Sequence, residues 1–194
     1  HAASSSRDLP RPGITACGFN SFGADNSCDE ANLMPHGLAL ISANAKAHGH
    51  EIDLIDLRML KGWDHFDEEV RRRSPTLFGI TSMSVDYGVA SQCIERIKQI
   101  DRRSIIVLGG VHATVDTDRV ARDACIDYIV TGEGEVTFPK LLSRLEKRDP
   151  PDTIPRVLKG EEPDVEQIPW ADRELFDYRR GELMHPWLPH LPAP

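Results

Sequence analysis

Ile105-Ile106-Val107-Leu108-Gly109-Gly110 is a run of four large apolar residues stopped by two glycines. Apolar residues in succession, without polar alternation, suit a strand buried on both faces, as in a parallel sheet covered by helices. Just upstream, Val89, Cys93, Ile97 and Ile100 recur at helical spacing within Val85 to Ile100. Before them Leu77, Phe78, Ile80 and Met83 mark another strand, with Gly79 inside it. Downstream, a short helix near Asp116 to Asp123 leads to the strand Tyr128-Ile129-Val130. A helix from about Glu135 to Lys147 follows, with Phe138, Leu141, Leu142 and Leu145 on one face. Further out lie a first strand, Ile14 to Phe19, and a polar loop from Asn20 to about Met34. A helix then starts near Pro35, carries Leu38, Ile41, Ala45 and Ala47, and stops at Gly49. Ile52, Leu54 and Ile55 form a strand ending at Asp56, and Phe66 to Arg73 is a short charged helix closed by Pro75. Strands alternating with helices predict an α/β fold. The expectation is a doubly wound, mostly parallel five-stranded sheet in the flavodoxin-like order.

Composition agrees with one folded unit. The chain has 194 residues, 40% hydrophobic and 28% charged, and its 23 lysines and arginines face 31 aspartates and glutamates for a formal charge of −8. That balance disfavours nucleic acid and anionic membrane as partners, since both select a basic face. No apolar run approaches the ~18 to 20 residues that cross a bilayer, so a soluble, cytoplasmic protein is expected. Cys17, Cys28, Cys93 and Cys125 lack the close spacing of zinc or iron–sulfur ligands and read as free thiols. Nine of the fourteen prolines fall after Asp149. Residues 149–194 therefore read as a proline-rich connector, 13–148 as the α/β domain, and 1–12 as a disordered start or a scar such as His1-Ala2-Ala3-Ser4-Ser5-Ser6.

In open sheets of this kind ligands bind beyond the carboxyl ends of the strands, where the strand order reverses. That rule selects Asn20-Ser21-Phe22-Gly23, the Asp56 end, Thr81-Ser82-Met83-Ser84, Gly109-Gly110-Val111-His112 and Thr131-Gly132-Glu133-Gly134-Glu135. Glycines there let a ligand approach the backbone, and hydroxyls offer hydrogen bonds without bulk. A long, slim group fits such an edge. Each loop also has a plainer reading. Gly109-Gly110 could simply turn the chain into the next helix. Glu133 and Glu135 could serve a helix N-terminus, where carboxylates are favourable. The loop around Gly132 and Gly134 has neither the G-x-G-x-x-G nor the G-x-x-x-x-G-K-[ST] spacing, and its carboxylates would repel a phosphate. Without a glycine fingerprint after the first strand, Asp56 is a weak candidate for a ribose-binding acid.

Other classes drop out on the same positions. A phospho-receiver needs an aspartate after the third strand and acids after the first, where this chain has Thr81-Ser82 and Phe19-Asn20. No G-x-S-x-G elbow is present for a hydrolase. A stand-alone nucleotide-dependent enzyme is not eliminated but is only weakly supported, because no phosphate loop is present. The eight histidines are scattered. His48 and His50 flank Gly49 at a helix end, where a cation suits the dipole. His112, beside the glycine pair, is placed either at the ligand edge, behind it or at the surface.

Four stretches taken together resemble the cobalamin-binding domain of cobalamin-dependent radical S-adenosylmethionine enzymes. They are Met34 to Asp56 (MPHGLALISANAKAHGHEIDLID), Phe78 to Ser84 (FGITSMS), Leu108 to Val115 (LGGVHATV) and Asp127 to Leu142 (DYIVTGEGEVTFPKLL). Ile154 to Gly160 and Ile168 to Tyr178 look like that family's connector into the next domain. The resemblance implies a cobalamin whose nucleotide tail enters between sheet and helices. It puts Thr81, Ser82 and Met83 along the tail and Gly109 and Gly110 at its close approach, with Ser84, Val111, His112, Gly132, Glu133 and Gly134 as further cofactor-binding candidates. The loop holding Asn20 and Ser21 would lie under the corrin ring.

Two departures shape the expectation. The D-x-H-x-x-G histidine motif is absent after the first strand, so a bound cobalamin would be base-off without a histidine on cobalt. No C-x-x-x-C-x-x-C is present, so S-adenosylmethionine and a 4Fe-4S cluster would belong to a C-terminal radical domain of a longer parent chain. The function expected is therefore a cobalamin-binding module of a radical methyltransferase or cyclase, without catalytic residues of its own. The alternative is a scaffold domain of the same family that contacts substrate or partner and holds no cobalamin.

Overall fold

The structure, a computed structural model, describes residues 35–164 and 166–176, together with the backbone of 12–16. Six strands form one sheet: β1 (Pro12–Ala16), β2 (Asp53–Asp56), β3 (Leu77–Thr81), β4 (Ile105–Gly109), β5 (Tyr128–Thr131) and β6 (Val157–Lys159). Their spatial order is β2-β1-β3-β4-β5-β6, and every pair is parallel. This is the flavodoxin-like order, with the reversal between β1 and β3. The strand count is the correction, six rather than five. The extra strand comes from the stretch read as connector, so the sheet continues past residue 148.

The helices are α1 (His36–Ala47), α2 (Trp63–Arg73), α3 (Tyr87–Ile100), α4 (Val111–Val115), α5 (Thr117–Val120) and α6 (Thr137–Glu146). Helical structure after the glycine pair thus begins at Val111, ahead of the Asp116 start that the sequence predicts. Side chains of a strand alternate between faces, and the two cores follow that alternation. Phe78, Ile80, Ile106, Leu108 and Ile129 pack with Phe66, Val70, Ile94 and Ile97 from α2 and α3. Leu77, Val107 and Val130 pack on the other face with Leu38 and Ala45 from α1 and Phe138, Leu141 and Leu142 from α6. Gly79 and Gly109 follow Leu77 and Val107 on that second face, and both line a cavity there. The helical layer stays in place while the strands contribute no side chain at those two points.

The region after α6 belongs to this second core. Ile154 and Phe176 are buried in it. Ser42 Oγ donates to Asp172 Oδ2 at 2.7 Å, and Lys46 Nζ lies 2.6 Å from the same oxygen. Burial alone would raise the Asp172 carboxyl, but these two partners hold it below its usual range. Among the described residues, no helix is long and apolar enough to cross a membrane.

Candidate functional site

The cavity opens at the carboxyl ends of β3, β4 and β5, has a volume of about 610 Å³, and reaches between the sheet and helices α1 and α6. Its sheet wall is Gly79, Thr81, Val107, Gly109 and Val130, and its helical wall is Gly37, Leu38, Ile41 and Phe138. Ser82, Met83, Gly110, Val111, Gly132, Glu133, Gly134 and Glu135 form the rim and ends. An apolar cleft with a few placed polar groups is the usual form of a small-molecule site.

Gly110 holds the rim together. Its φ is +91°, and a Cβ there would lie 2.6 Å from Thr81 Oγ1 and 2.7 Å from the Ser82 carbonyl. Only glycine lets these two loops meet. The Ser82 N–H donates to the Gly109 carbonyl at 3.2 Å, and the His112 N–H donates to the Ser82 carbonyl at 3.1 Å. Thr114 Oγ1 donates to the Gly110 carbonyl at 3.1 Å and accepts from the Gly132 N–H at 2.8 Å. One hydroxyl thus joins the β4 and β5 loops. The Gly160 N–H donates to the Thr131 carbonyl at 2.6 Å. A Cβ on Gly160 would collide with the Glu133 carbonyl oxygen.

Asp86, Glu133 and Glu135 line the cavity, and Asp56 holds the lining residue Arg58. Asp86 Oδ1 accepts from the Met83 N–H at 2.6 Å and so shapes the turn after β3. Burial pushes its carboxyl up, and that hydrogen bond pulls partly back. Burial likewise raises Glu135, with the neighbouring Glu133 adding to the rise. Asp56 is buried and holds Arg58 through its carboxylate, with Nη2 to Oδ2 at 2.6 Å and Nε to Oδ1 at 3.0 Å.

Of the residues singled out from sequence, Thr81, Ser82, Met83, Gly109, Gly110, Val111, Gly132, Glu133 and Gly134 all line this cavity. Ser84 and His112 are not among its lining residues. His112 is buried, its ring stacked on Tyr87 with 4.0 Å between centroids and its Nδ1 3.2 Å from Ser84 Oγ. Asn20 and Ser21 lie outside the described residues, as do Cys17, Cys28 and the tail histidines. Sequence reasoning missed Gly37, Leu38 and Ile41 on α1, as well as Arg58, Asp86 and Phe138. The signal for Gly37 was a small residue at the start of a helix. Among the described residues, no cluster of three or more histidine, cysteine or carboxylate side chains could hold a metal ion.

Two polar atoms on this wall are buried and have no partner, Ser82 Oγ and Glu135 Oε2. Buried polar groups in native proteins are otherwise nearly always satisfied. Together with the small-residue cradle at Gly109 and Gly110, they fit an elongated ligand with an apolar body and hydrogen-bonding groups, such as the nucleotide tail of a cobalamin.

Fold and cavity define a class: a flavodoxin-like domain with a cleft at the carboxyl edge of its parallel sheet. The family model of the B12 binding domain matches residues 26–142, and the chain belongs to that family. An uncharacterized methyltransferase of Pyrococcus horikoshii is 30% identical over 115 residues, covering 58% of this chain and 25% of that protein. The anaerobic magnesium-protoporphyrin IX monomethyl ester cyclase of Rubrivivax gelatinosus is 27% identical over 134 residues, covering 66% of this chain and 23% of the cyclase. Among solved structures, the cobalamin-dependent S-adenosylmethionine radical enzyme OxsB with aqua-cobalamin bound superposes with a TM-score of 0.69 at 15% identity. The match covers 91% of this chain and 25% of that one. The chain spans about a quarter of the length of the curated relatives it matches.

Proposed function

We propose that this chain holds cobalamin base-off at the carboxyl edge of its sheet, as the cofactor-binding module of a radical S-adenosylmethionine methyltransferase or cyclase. The observation that carries the reading is the Ser82 hydroxyl, 2% exposed and without a partner, on the wall of a cleft whose sheet side is emptied by glycine. A hydroxyl costs about 1 to 3 kcal/mol when buried unsatisfied, and a ligand's polar group removes that cost. In this reading Thr81, Ser82 and Met83 lie along the nucleotide tail, and Gly109, Gly110 and Val111 let it approach the backbone. Gly132, Glu133 and Gly134 close the far side, while the loop with Asn20 and Ser21 supports the corrin ring. The absence of a D-x-H-x-x-G motif after the first strand is what supports a cobalt without a histidine ligand.

Bound cobalamin supplies a cobalt–carbon bond from which a methyl group can be passed on. The chain's own residues bind and orient it, and the bond-making chemistry with S-adenosylmethionine and a 4Fe-4S cluster belongs to a radical domain of the parent protein. The test is a visible spectrum after incubation with hydroxocobalamin and removal of free cofactor by gel filtration. Stoichiometric retention with a base-off spectrum is the expected result. In the paramagnetic resonance of the reduced cob(II)alamin form, nitrogen coupling from the cofactor's own benzimidazole would overturn the base-off assignment, and coupling from a histidine would overturn the assignment of a cobalt without a histidine ligand. A colourless protein would favour the scaffold alternative.

A further inference from the structure

Glu135 carries a burial cost that the backbone N–H groups of Gly134 and Glu135 offset only in part. The residue lines the cavity and is 6% exposed, and its Oε2 is buried without a hydrogen-bond partner. The other buried carboxylate oxygen without a partner, Oδ1 of Asp67, differs because its carboxylate is engaged by Arg96 at 2.8 Å through Oδ2. The backbone around Glu135 is held in place. Asn44 Nδ2 donates to the Glu135 carbonyl at 2.6 Å, and the Phe138 N–H donates to the Gly134 carbonyl at 2.8 Å. A carboxyl fixed in this way and left half-satisfied is a group poised for a partner that arrives from outside.

The surroundings define that partner's chemistry. Glu133 and Glu135 stand on the same wall, and two adjacent carboxyls turn an anionic group away. The Gly132 N–H, which could have served a phosphate, is already donated to Thr114 Oγ1. What this wall offers is an acceptor, so the matching group is a hydrogen-bond donor.

We propose that Glu135 is a recognition residue whose Oε2 hydrogen-bonds a hydroxyl or amide N–H on the part of the ligand lodged in the cavity, and that this wall faces away from the ligand's phosphate. The proposal rests on the cobalamin reading. Such donors occur on the ribose of the nucleotide tail and on the amide side chains of the corrin ring.

The experiment compares wild type, Glu135→Gln and Glu135→Ala in two ways: thermal unfolding without cofactor, and equilibrium dialysis with hydroxocobalamin or with cobinamide, which lacks the nucleotide. Glu135→Ala should lower hydroxocobalamin affinity by about 10- to 100-fold, the loss expected for a hydrogen bond to a charged group. Glu135→Gln keeps an acceptor and a donor there and should stay within about threefold of wild type. Without cofactor, both variants should unfold at the wild-type temperature or above it, because each removes a buried carboxyl whose burial is only partly compensated. An effect confined to hydroxocobalamin assigns the donor to the ribose, and an equal effect on cobinamide assigns it to a ring amide. Glu135→Ala unfolding at a clearly lower temperature would make the residue structural and overturn the proposal. Wild-type affinity in Glu135→Ala would overturn it while leaving cobalamin binding intact. If wild type retains no cobalamin, the underlying reading falls first and this one with it.

Discussion

Gly109 and Gly79 work by what they lack. Both stand on strands at positions whose neighbours, Val107 and Leu77, fill the second core, and the space they leave is the cavity. Gly109 sits in open backbone space, for a Cβ there would lie 3.6 Å from the Val130 carbonyl oxygen, an ordinary contact. Gly109→Val should therefore fold, with valine favoured in a strand, yet lose hydroxocobalamin retention on gel filtration. Gly110 is the opposite case. Its left-handed φ and the 2.6 Å approach to Thr81 Oγ1 make Gly110→Ala strained as well as crowded. A loss of about 1 to 3 kcal/mol is expected, read from urea unfolding without any ligand. Sequence reading found both glycines but could not tell the vacancy from the hinge. That difference depends on φ and on which loop lies opposite. Elsewhere, the Arg72 hydrogen bond leads in pulling the Glu69 carboxyl down to about 2, with Arg73 helping against burial. A depressed carboxyl stabilises the fold above its unfolded value and loses that contribution as it protonates. Glu69→Gln should cost about 1 kcal/mol at neutral pH, and the gap to wild type should close as the pH falls from 4.5 to about 2.

At the scale of elements, the strands from β2 to β5 were legible because each is an apolar run between turn residues. β6 was not. Val157-Leu158-Lys159 is three residues between Pro155 and Pro163, with an exposed–intermediate–exposed burial pattern, and it becomes a strand only through pairing with β5. Arg156 secures that edge by donating to the carbonyls of Ala121 and Ile126, which no local pattern announces. The same holds for the short helical turn Glu174–Phe176, which returns to α1 through the Asp172 contacts with Ser42 and Lys46. Phe176 is 3% exposed within the second core. Phe176→Ala should cost about 3 kcal/mol, at the lower end for a buried aromatic truncation, measurable as a lowered urea midpoint with an unchanged slope. A similar loss is expected for His50→Ala in the α1–β2 connection. His50 is buried with Nδ1 2.8 Å from Glu146 Oε1 and Nε2 3.3 Å from Ser143 Oγ. Its removal should cost about 1 to 3 kcal/mol by leaving α6 groups unpartnered, read in the same titration. The helix-end role read from sequence falls to His48, whose Nδ1 lies 2.8 Å from the Asn44 carbonyl oxygen, while the His50 ring serves this long-range contact instead.

Across the whole molecule, chemistry is concentrated at one edge, because parallel strands all end on the same side. The class of fold and the edge were legible from the order of apolar runs and glycine-rich loops. The depth of the site was not, because α1 and α6 meet over the sheet only once the chain has wound around it. The contact of Gly160 with Thr131 and Glu133 gives this winding a time order. Every strand pairing needs a crossover, so no wall of the cavity is closed by a local hairpin. The β5 loop is pinned by a residue synthesised well after it. At ~5 to 20 residues per second, roughly 1.5 to 6 s separate the synthesis of Thr131 from that of Gly160. On the ribosome, the cavity is a late product of the domain. A nascent chain arrested before Gly160 should bind hydroxocobalamin more weakly than one arrested beyond Phe176.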